Sequence, residues 1–430
     1  MRRVSTDDYV RTTVGPERWQ NWAQNQTFQA ETALADSETG IQQIVREIAE
    51  AGGGVRVAGS GHSFTPIVEP STTLLRLTGP RGVISADRGS KVAEMWAHTP
   101  LREIGPELWN HGLSLRNQGD TDAQTIAGAT ATGTKGSGRS LSSLSSEVRS
   151  VTLIDGCGEL RRIEADDAQP EELLAAQVSL GLLGIVSRVG LKTDTAYGLE
   201  EHNSIDPLST VLETLEADSR DVRHYSFCWC PSDETAARFA LPPTPADSCW
   251  VKRLTTTAAD HPALTSGTGV SGEPGRRIGR SYLIYPDWAD QDPEHVELEY
   301  MIPADRWTEA FSALRSLMLR DFPEEISMVQ VRWQAADSAY LSAQHDTNTV
   351  SLALVSDREG NYDTFLHAVH DTLMPYGPRP HWGKMHYFSP AEIAEAFPAL
   401  GEFRAVREKF DPSGVFSNPS LTTLLDLQSA

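Results

Sequence analysis

Apolar residues recur at helical spacing at Ile41, Ile44, Val45 and Ile48, which predicts a helix over residues 40–53, stopped by Gly52-Gly53-Gly54. A β-branched run, Val55–Ala58, follows as a short strand and enters a turn of small residues carrying His62. Leu74–Leu77 and Gly82–Ala86 read as further short strands. Leu101–His111 is amphipathic at helical period and ends at Gly112, a residue suited to a helix C-terminus. Val148–Ile154 and Glu159–Ile163 form a predicted hairpin around Asp155-Gly156. Glu171–Leu180 is helical, and Gly184–Leu191 returns as a strand. This is the pattern of an α+β unit with many small strands, not of a repeating βαβ array.

After about residue 193 the segments lengthen and glycine thins out. Residues 241–280 are rich in Pro, Thr, Gly and Ser and predict a long loop or insertion. Arg306–Arg320 is a predicted helix, Ile326–Gln334 and Val350–Val355 are strands, and Tyr362–Leu373 is a helix. That alternation predicts a second domain, a sheet capped by helices. Pro390–Phe397 and Phe403–Phe410 are helical, and Asp411–Asn418 is a turn-rich closing segment. There are no internal repeats and no coiled-coil pattern. The expected division is a first domain over residues 1–193, rejoined by residues 405–430, and a second over residues 194–404.

At 430 residues the chain exceeds one ordinary core. With 39% hydrophobic and 22% charged residues it has the balance of a folded globular protein. A formal charge of −22 repels phosphate backbones and anionic lipid, which argues against nucleic-acid and membrane partners. No apolar stretch follows Met1-Arg2-Arg3-Val4, so no signal peptide is expected, and no run is long enough to span a bilayer. Four cysteines are too few for a disulfide framework, and Cys228 and Cys230 lack partners at zinc spacing, so they read as core. We expect a cytoplasmic monomer without a metal ion.

Chemistry concentrates in the small-residue runs. Gly59-Ser60-Gly61 is not a dinucleotide fingerprint, because the third glycine and the following helix are missing. In Thr125–Gly138 nearly every residue is small, so backbone N–H groups can approach a diphosphate or a flat ring. Its spaced Ala, Thr and Ile positions are more than a linker requires. Gln330 and Arg332 lie two apart on a predicted strand and share a face. Lys384 follows His381-Trp382, two aromatic residues that favour a pocket over a solvated surface.

Five stretches carry a resemblance, in order and spread over nearly the whole chain. They are Asn21-Trp22-Ala23 with Asn25; Gly59–Phe64; Asn117–Asp120 with Thr125–Gly138; Arg379–Lys384; and Asp411-Pro412 through Asn418. Together they resemble the sugar-lactone and alditol oxidases of the vanillyl-alcohol-oxidase flavoprotein superfamily. The resemblance implies a two-domain α+β flavoprotein, with an FAD-binding domain and an antiparallel-sheet cap domain over the flavin ring. It implies covalent attachment of FAD through His62, a tether that retains the cofactor and raises its reduction potential. Further FAD contacts implied are Ala58, Gly59, Ser60, Gly61, Ser63, Phe64, Gly119, Asp120, Thr125, Gly128, Thr132, Gly133, Thr134, Lys135, Gly184, Ile185, Val186 and Asn418.

The same resemblance implies a catalytic set of Arg332, Lys384, Gln330 and Asp120. Arg332 would stabilise the anionic reduced ring, Lys384 would polarise or help deprotonate the substrate hydroxyl, and Gln330 and Asp120 would hydrogen-bond to it. The implied reaction is hydride transfer from a sugar-derived alcohol carbon to flavin, with O2 as acceptor and H2O2 as product. Gly119, a small residue beside the ring's reactive edge, leaves room for O2. The chain departs from the family pattern at Gln330 (usually Glu), Lys135 (usually His) and Gln24 (usually Gly). It also departs at Asp120 and Ala353, where alditol oxidase has Ser and His. Gln330 puts the usual lactone or polyol alike in question, whereas Asp120 and Ala353 argue against a polyol; an aldonolactone such as D-arabinono- or L-gulono-1,4-lactone comes first and an alditol second. A flavin dehydrogenase with another acceptor, and a catalytically silent flavin-binding protein, stay open.

Overall fold

Three β-sheets succeed one another along the chain in the computed structural model, which describes residues 12–265, 269–286, 295–358 and 360–427. Met1–Val4, where no signal peptide is expected, lies outside them. The first sheet holds β1 (Thr12–Gln20), β2 (Thr27–Ala35), β3 (Val55–Val57) and β4 (Thr73–Leu77), in the order β1-β2-β4-β3. β4 runs parallel to both its neighbours. The predicted helix spans Glu38–Glu50, its first turn capped by the Ser37 hydroxyl, which accepts from Gly40 N. Its buried stripe of Ile41, Ile44, Val45 and Ile48 packs in one core with Ala33, Val55, Leu75, Ile154 and Ile185. Val415 and Phe416 of the C-terminal tail complete that core, and Val55 N donates to Val415 O at 2.8 Å.

The second sheet holds β5 (Val83–Asp87), β6 (Val92–Trp96), β7 (Leu113–Leu115), β8 (Val148–Ile154), β9 (Leu160–Glu164) and β10 (Ile185–Thr195). Its order is β5-β6-β10-β8-β9, with β7 also on β10. β8 and β9 are the expected hairpin.

The third sheet begins one residue after β10 ends. It holds β11 (Tyr197–Pro207), β12 (His224–Cys230), β13 (Ser248–Ala258), β14 (Val270–Glu273), β15 (Arg276–Arg280), β16 (His295–Pro303), β17 (Ser327–Gln334), β18 (Thr349–Asp357) and β19 (Arg379–Pro380). The order is β14-β15-β11-β13-β12-β17-β18-β16-β19, and all its pairings are antiparallel. The long loop expected over residues 241–280 is therefore corrected. β13 is an eleven-residue interior strand bonded to β11 and β12, and β14 and β15 form a ribbon at the sheet's edge. Reading composition over forty residues counted Thr255-Thr256-Thr257 as loop, whereas β-branched threonines pack well in a strand.

Alternation sorts the third sheet's two faces. Val329, Val331, Trp333, Leu352, Leu354, Leu298 and Tyr300 join the main core with Phe311 and Leu314 of the helix Trp307–Asp321, and with Phe365, Leu366 and Val369 of the helix Tyr362–Leu373. The intervening positions present Glu297, Glu299, Gln330, Arg332, Gln334 and Ser351 on the opposite face. That face meets the small-residue segment 117–138: Gly138 N donates to Trp333 O at 2.8 Å, and Gln334 Nε2 to Gly136 O at 3.2 Å. Among the described residues, no helix is long and apolar enough to cross a membrane.

Candidate active site

The turn after β3 is gripped from both ends of the chain. Trp22 N donates to Gly61 O at 2.8 Å, Asn21 Nδ2 to Ser63 O at 2.9 Å, and Asn25 Nδ2 to Phe64 O at 2.9 Å. From the C-terminal side, Phe64 N donates to Gly383 O at 2.8 Å and Thr65 Oγ1 to Trp382 O at 2.8 Å. The His62 ring stacks on Trp22 with centroids 5.2 Å apart. The grip explains why Asn21, Trp22, Asn25 and the 382–383 pair accompany the turn in sequence.

A cleft, open at its mouth, lies between this turn, the helix Ile126–Ala131 and the segment Ser179–Val186. Twelve of the residues that the resemblance implies as FAD contacts line it: Ala58, Gly59, Ser60, Gly61, His62, Ser63, Thr125, Gly128, Thr132, Gly184, Ile185 and Val186. Small residues are required there by space. A Cβ at Gly59 would lie 2.6 Å from Thr125 Oγ1, the hydroxyl that caps the helix by accepting from Gly128 N. Arg56 was not anticipated in the wall. Its guanidinium donates to the carbonyls of Ile67, Leu180, Gly181 and Phe416, and burial brings its pKa down to about 10. His98, Gln124 and Phe416 also line the cleft without having been singled out in the sequence.

The remaining candidates gather elsewhere. Gly119, Thr134 and Gln124 lie together at the cleft's flank: a Cβ at Gly119 would stand 2.9 Å from Thr134 Cγ2 and 3.5 Å from Gln124 Oε1. Gly119 is thus held by close packing. Asp120 Oδ2 accepts from Arg332 Nη1 at 2.7 Å and from Gln330 Nε2 at 3.1 Å. Lys384 pairs with Glu297, and its ammonium stands 5.0 Å from the Phe64 ring centre. Gly133 is a left-handed turn residue, φ +73°, after the helix Ile126–Ala131. Asn418 ties the tail down, donating to Pro66 O at 3.0 Å and capping the helix Pro419–Leu424, away from the cleft lining.

Glu299, missed in the sequence, sits at the centre of the polar cluster. Its Oε1 accepts from Arg332 Nη2 at 2.6 Å and from Lys135 Nζ, which also donates to Ser351 Oγ at 3.0 Å. Burial opposes ionisation of Glu299, but Lys135 and Arg332 outweigh it and hold the carboxyl well below its usual range. Burial brings Lys135 down to about 8, helped by the Arg332 charge and resisted by Glu299 and Asp120. His381, buried beside the cluster, is pushed down to about 3 and stays neutral. Glutamates at alternate positions of an otherwise apolar stretch, Val296-Glu297-Leu298-Glu299-Tyr300, are the signal that marks this strand.

The site has donors in reserve. Among the described residues Arg332 Nε and Gln118 Nε2 are buried with no hydrogen-bond partner, as are nine side-chain atoms elsewhere. Buried donors are rarely left so, and both stand beside Gly119–Asp120 in sequence or in space. A polar-edged flat ring supplies acceptors of that kind, and the narrow small-residue cleft suits an extended dinucleotide, so the residues fit FAD.

Comparison with known proteins agrees. Residues 30–164 match the family model described as an FAD binding domain, and residues 281–424 match D-arabinono-1,4-lactone oxidase. The chain is 30% identical to an L-gulono-1,4-lactone dehydrogenase of Mycobacterium tuberculosis over 93% of this chain and 97% of that one. It is 26% identical to an alditol oxidase of a Streptomyces species, over 94% and 98%. Among solved structures, the cholesterol oxidase of Brevibacterium sterolicum shares the fold at TM-score 0.79 and 14% identity, covering 98% of this chain and 99% of that one.

Proposed function

The chain belongs to the sugar-lactone and alditol oxidase family of vanillyl-alcohol-oxidase-type flavoproteins, and from that premise we propose that it oxidises an aldonolactone such as D-arabinono- or L-gulono-1,4-lactone. It is an FAD-dependent oxidoreductase with a two-domain α+β fold. We assign residues 1–193 and 405–430 to the FAD-binding domain and residues 194–404 to the cap. All four cysteines are free thiols, which fits a reducing, cytoplasmic setting.

Bound FAD would supply the redox chemistry, taking a hydride from the alcohol carbon and passing the electrons to O2 as hydrogen peroxide. The chain's own residues hold and orient. The cleft-lining residues from Ala58 to Ser63, with Thr125, Gly128 and Thr132, would cradle the cofactor, and His62 would be its covalent attachment point. Asp120 Oδ1 takes no hydrogen bond from the described residues and is open to a substrate hydroxyl. Gln330 keeps an amide oxygen for a second hydroxyl, but an amide cannot accept a proton as a carboxylate does. Lys384 approaches from the Phe64 side and would polarise the reacting hydroxyl. The observation that carries this reading is Arg332, clamped through both Nη atoms with its Nε–H unsatisfied beside Gly119–Asp120.

An anaerobic panel of L-gulono-1,4-lactone, D-arabinono-1,4-lactone, xylitol and sorbitol tests the proposal. The lactones should bleach the flavin band, and air should restore it with peroxide formed. Bleaching by the alditols alone would move the assignment to alditol oxidation. Sluggish recovery in air would favour a dehydrogenase, the reading raised by the name of the mycobacterial relative. If none of the four bleaches the band, the lactone proposal fails.

A further inference from the structure

Charges run in a line from the dry interior to the open site: Lys135, Glu299, Arg332, Asp120. Side-chain exposure rises along it, 0% for Lys135, 2% for Glu299, 6% for Arg332 and 16% for Asp120. Two cations alternate with two anions, so the set is neutral as a whole. Space for it is made by Ala353, which stands between Glu299 and Gln330 in one cross-strand row and puts no side chain in the way.

Such a set is a poor device for stability alone. Desolvating an ion is costly, and well-packed apolar residues of similar volume often serve a fold as well or better. What burial does supply is field strength, because low local dielectric magnifies the effect of each charge on its neighbours. Glu299 and Asp120 hold the two Nη atoms at 2.6 and 2.7 Å and leave Nε–H as the uncommitted donor. Lys135 holds Glu299 in turn, and its ammonium is itself fixed by a second bond, to Ser351 Oγ of β18.

We propose that Lys135 and Glu299 are positioning residues that act through Arg332, a paired charge behind the guanidinium that sets the electrostatic potential felt by the flavin. The inference rests on the reading of Arg332 given above. Neither residue touches the substrate; Glu299 aims the guanidinium and tempers its charge, and Lys135 offsets Glu299.

Reduction adds negative charge to the flavin, so each charge has a signed effect on its midpoint potential. The experiment measures that potential by equilibration with redox dyes, in flavin-loaded wild type, Glu299→Gln, Lys135→Met and the double variant, with no sugar present. Glu299→Gln should raise the reduced-to-oxidised ratio at fixed potential about tenfold, which is about 30 mV for a two-electron couple. Lys135→Met should lower it by as much, and the double variant should return to within about threefold of wild type. Glu299→Asp, which keeps the charge, should stay with wild type.

Equal potentials in all variants, or shifts of the same sign in both single variants, would overturn the proposal. If Glu299→Gln does not fold alone, adding it to Lys135→Met decides: restoration supports the pairing and its absence overturns it. Because no substrate enters the measurement, failure of the lactone panel and failure of this pairing are separate results.

Discussion

Among single residues, Lys135 carries the sharpest pH signature. With its ammonium down to about 8, pressed chiefly by burial and by Arg332, the balanced set loses one positive charge as pH rises through that value. Glu299 and Asp120 then outweigh Arg332, and arrival of negative charge on the flavin is disfavoured. Stopped-flow reduction by saturating lactone should therefore slow through about pH 8 in wild type. Lys135→Met should run about tenfold slower at pH 7 and stay flat across the same window. Stability moves the other way. The folded pKa lies below the ordinary 10.5, so the unfolded chain binds more protons between the two values. Wild type should gain urea resistance from about pH 8 upward relative to Lys135→Met; a parallel dependence in both would contradict the assignment of that titration to Lys135.

At the level of elements, the cleft depends on the turn after β3 meeting the helix Ile126–Ala131 with nothing between them. Gly59→Ala sets a methyl 2.6 Å from the capping Thr125 hydroxyl. Moving that hydroxyl breaks the cap, at about 1 kcal/mol, and shifts a wall of the cleft. Purified Gly59→Ala should retain less than about a tenth of the wild-type flavin per chain with its melting temperature lowered only a few degrees. Full flavin content would show that the close approach does not matter. The turn was legible because small residues in sequence mean close backbone approach in space. The β8–β9 hairpin and the helices Glu38–Glu50, Leu101–Asn110 and Pro170–Gln177 were legible because their apolar periods are local, whereas β1, β2, β6, β7 and the helix Ile126–Ala131 were not read. β13 was not, because the Pro, Thr, Gly and Ser content of residues 241–280 masked the β-branched Val251 and Thr255–Thr257 within it. Glu299 was hidden because its partners lie far away along the chain: the register of β16, β18 and β17 brings Arg332 to it, and the packing of segment 117–138 on that face brings Lys135.

Over the whole molecule, two surfaces from different parts of the chain build one site. The first two sheets and the returning tail frame the cleft, and the third sheet turns its polar face toward the cleft's flank while helices cover its apolar face. Lys135 bonds to Glu299 and Gln330 to Asp120, two carboxylates joined through Arg332, and Ala353 supplies the space between the strands of Glu299 and Gln330, so the departures lie along one polar cluster. Everything in this picture requires FAD to sit in the cleft with its attachment at the Trp22-stacked imidazole. Mass spectrometry of the denatured, acid-washed chain tests that most directly, comparing wild type with His62→Ala. Wild type should be heavier than its polypeptide by one FAD, with the added mass mapping to the peptide that contains His62, and His62→Ala should show the bare polypeptide. A wild-type chain at bare polypeptide mass, or an adduct that survives His62→Ala, would contradict the account.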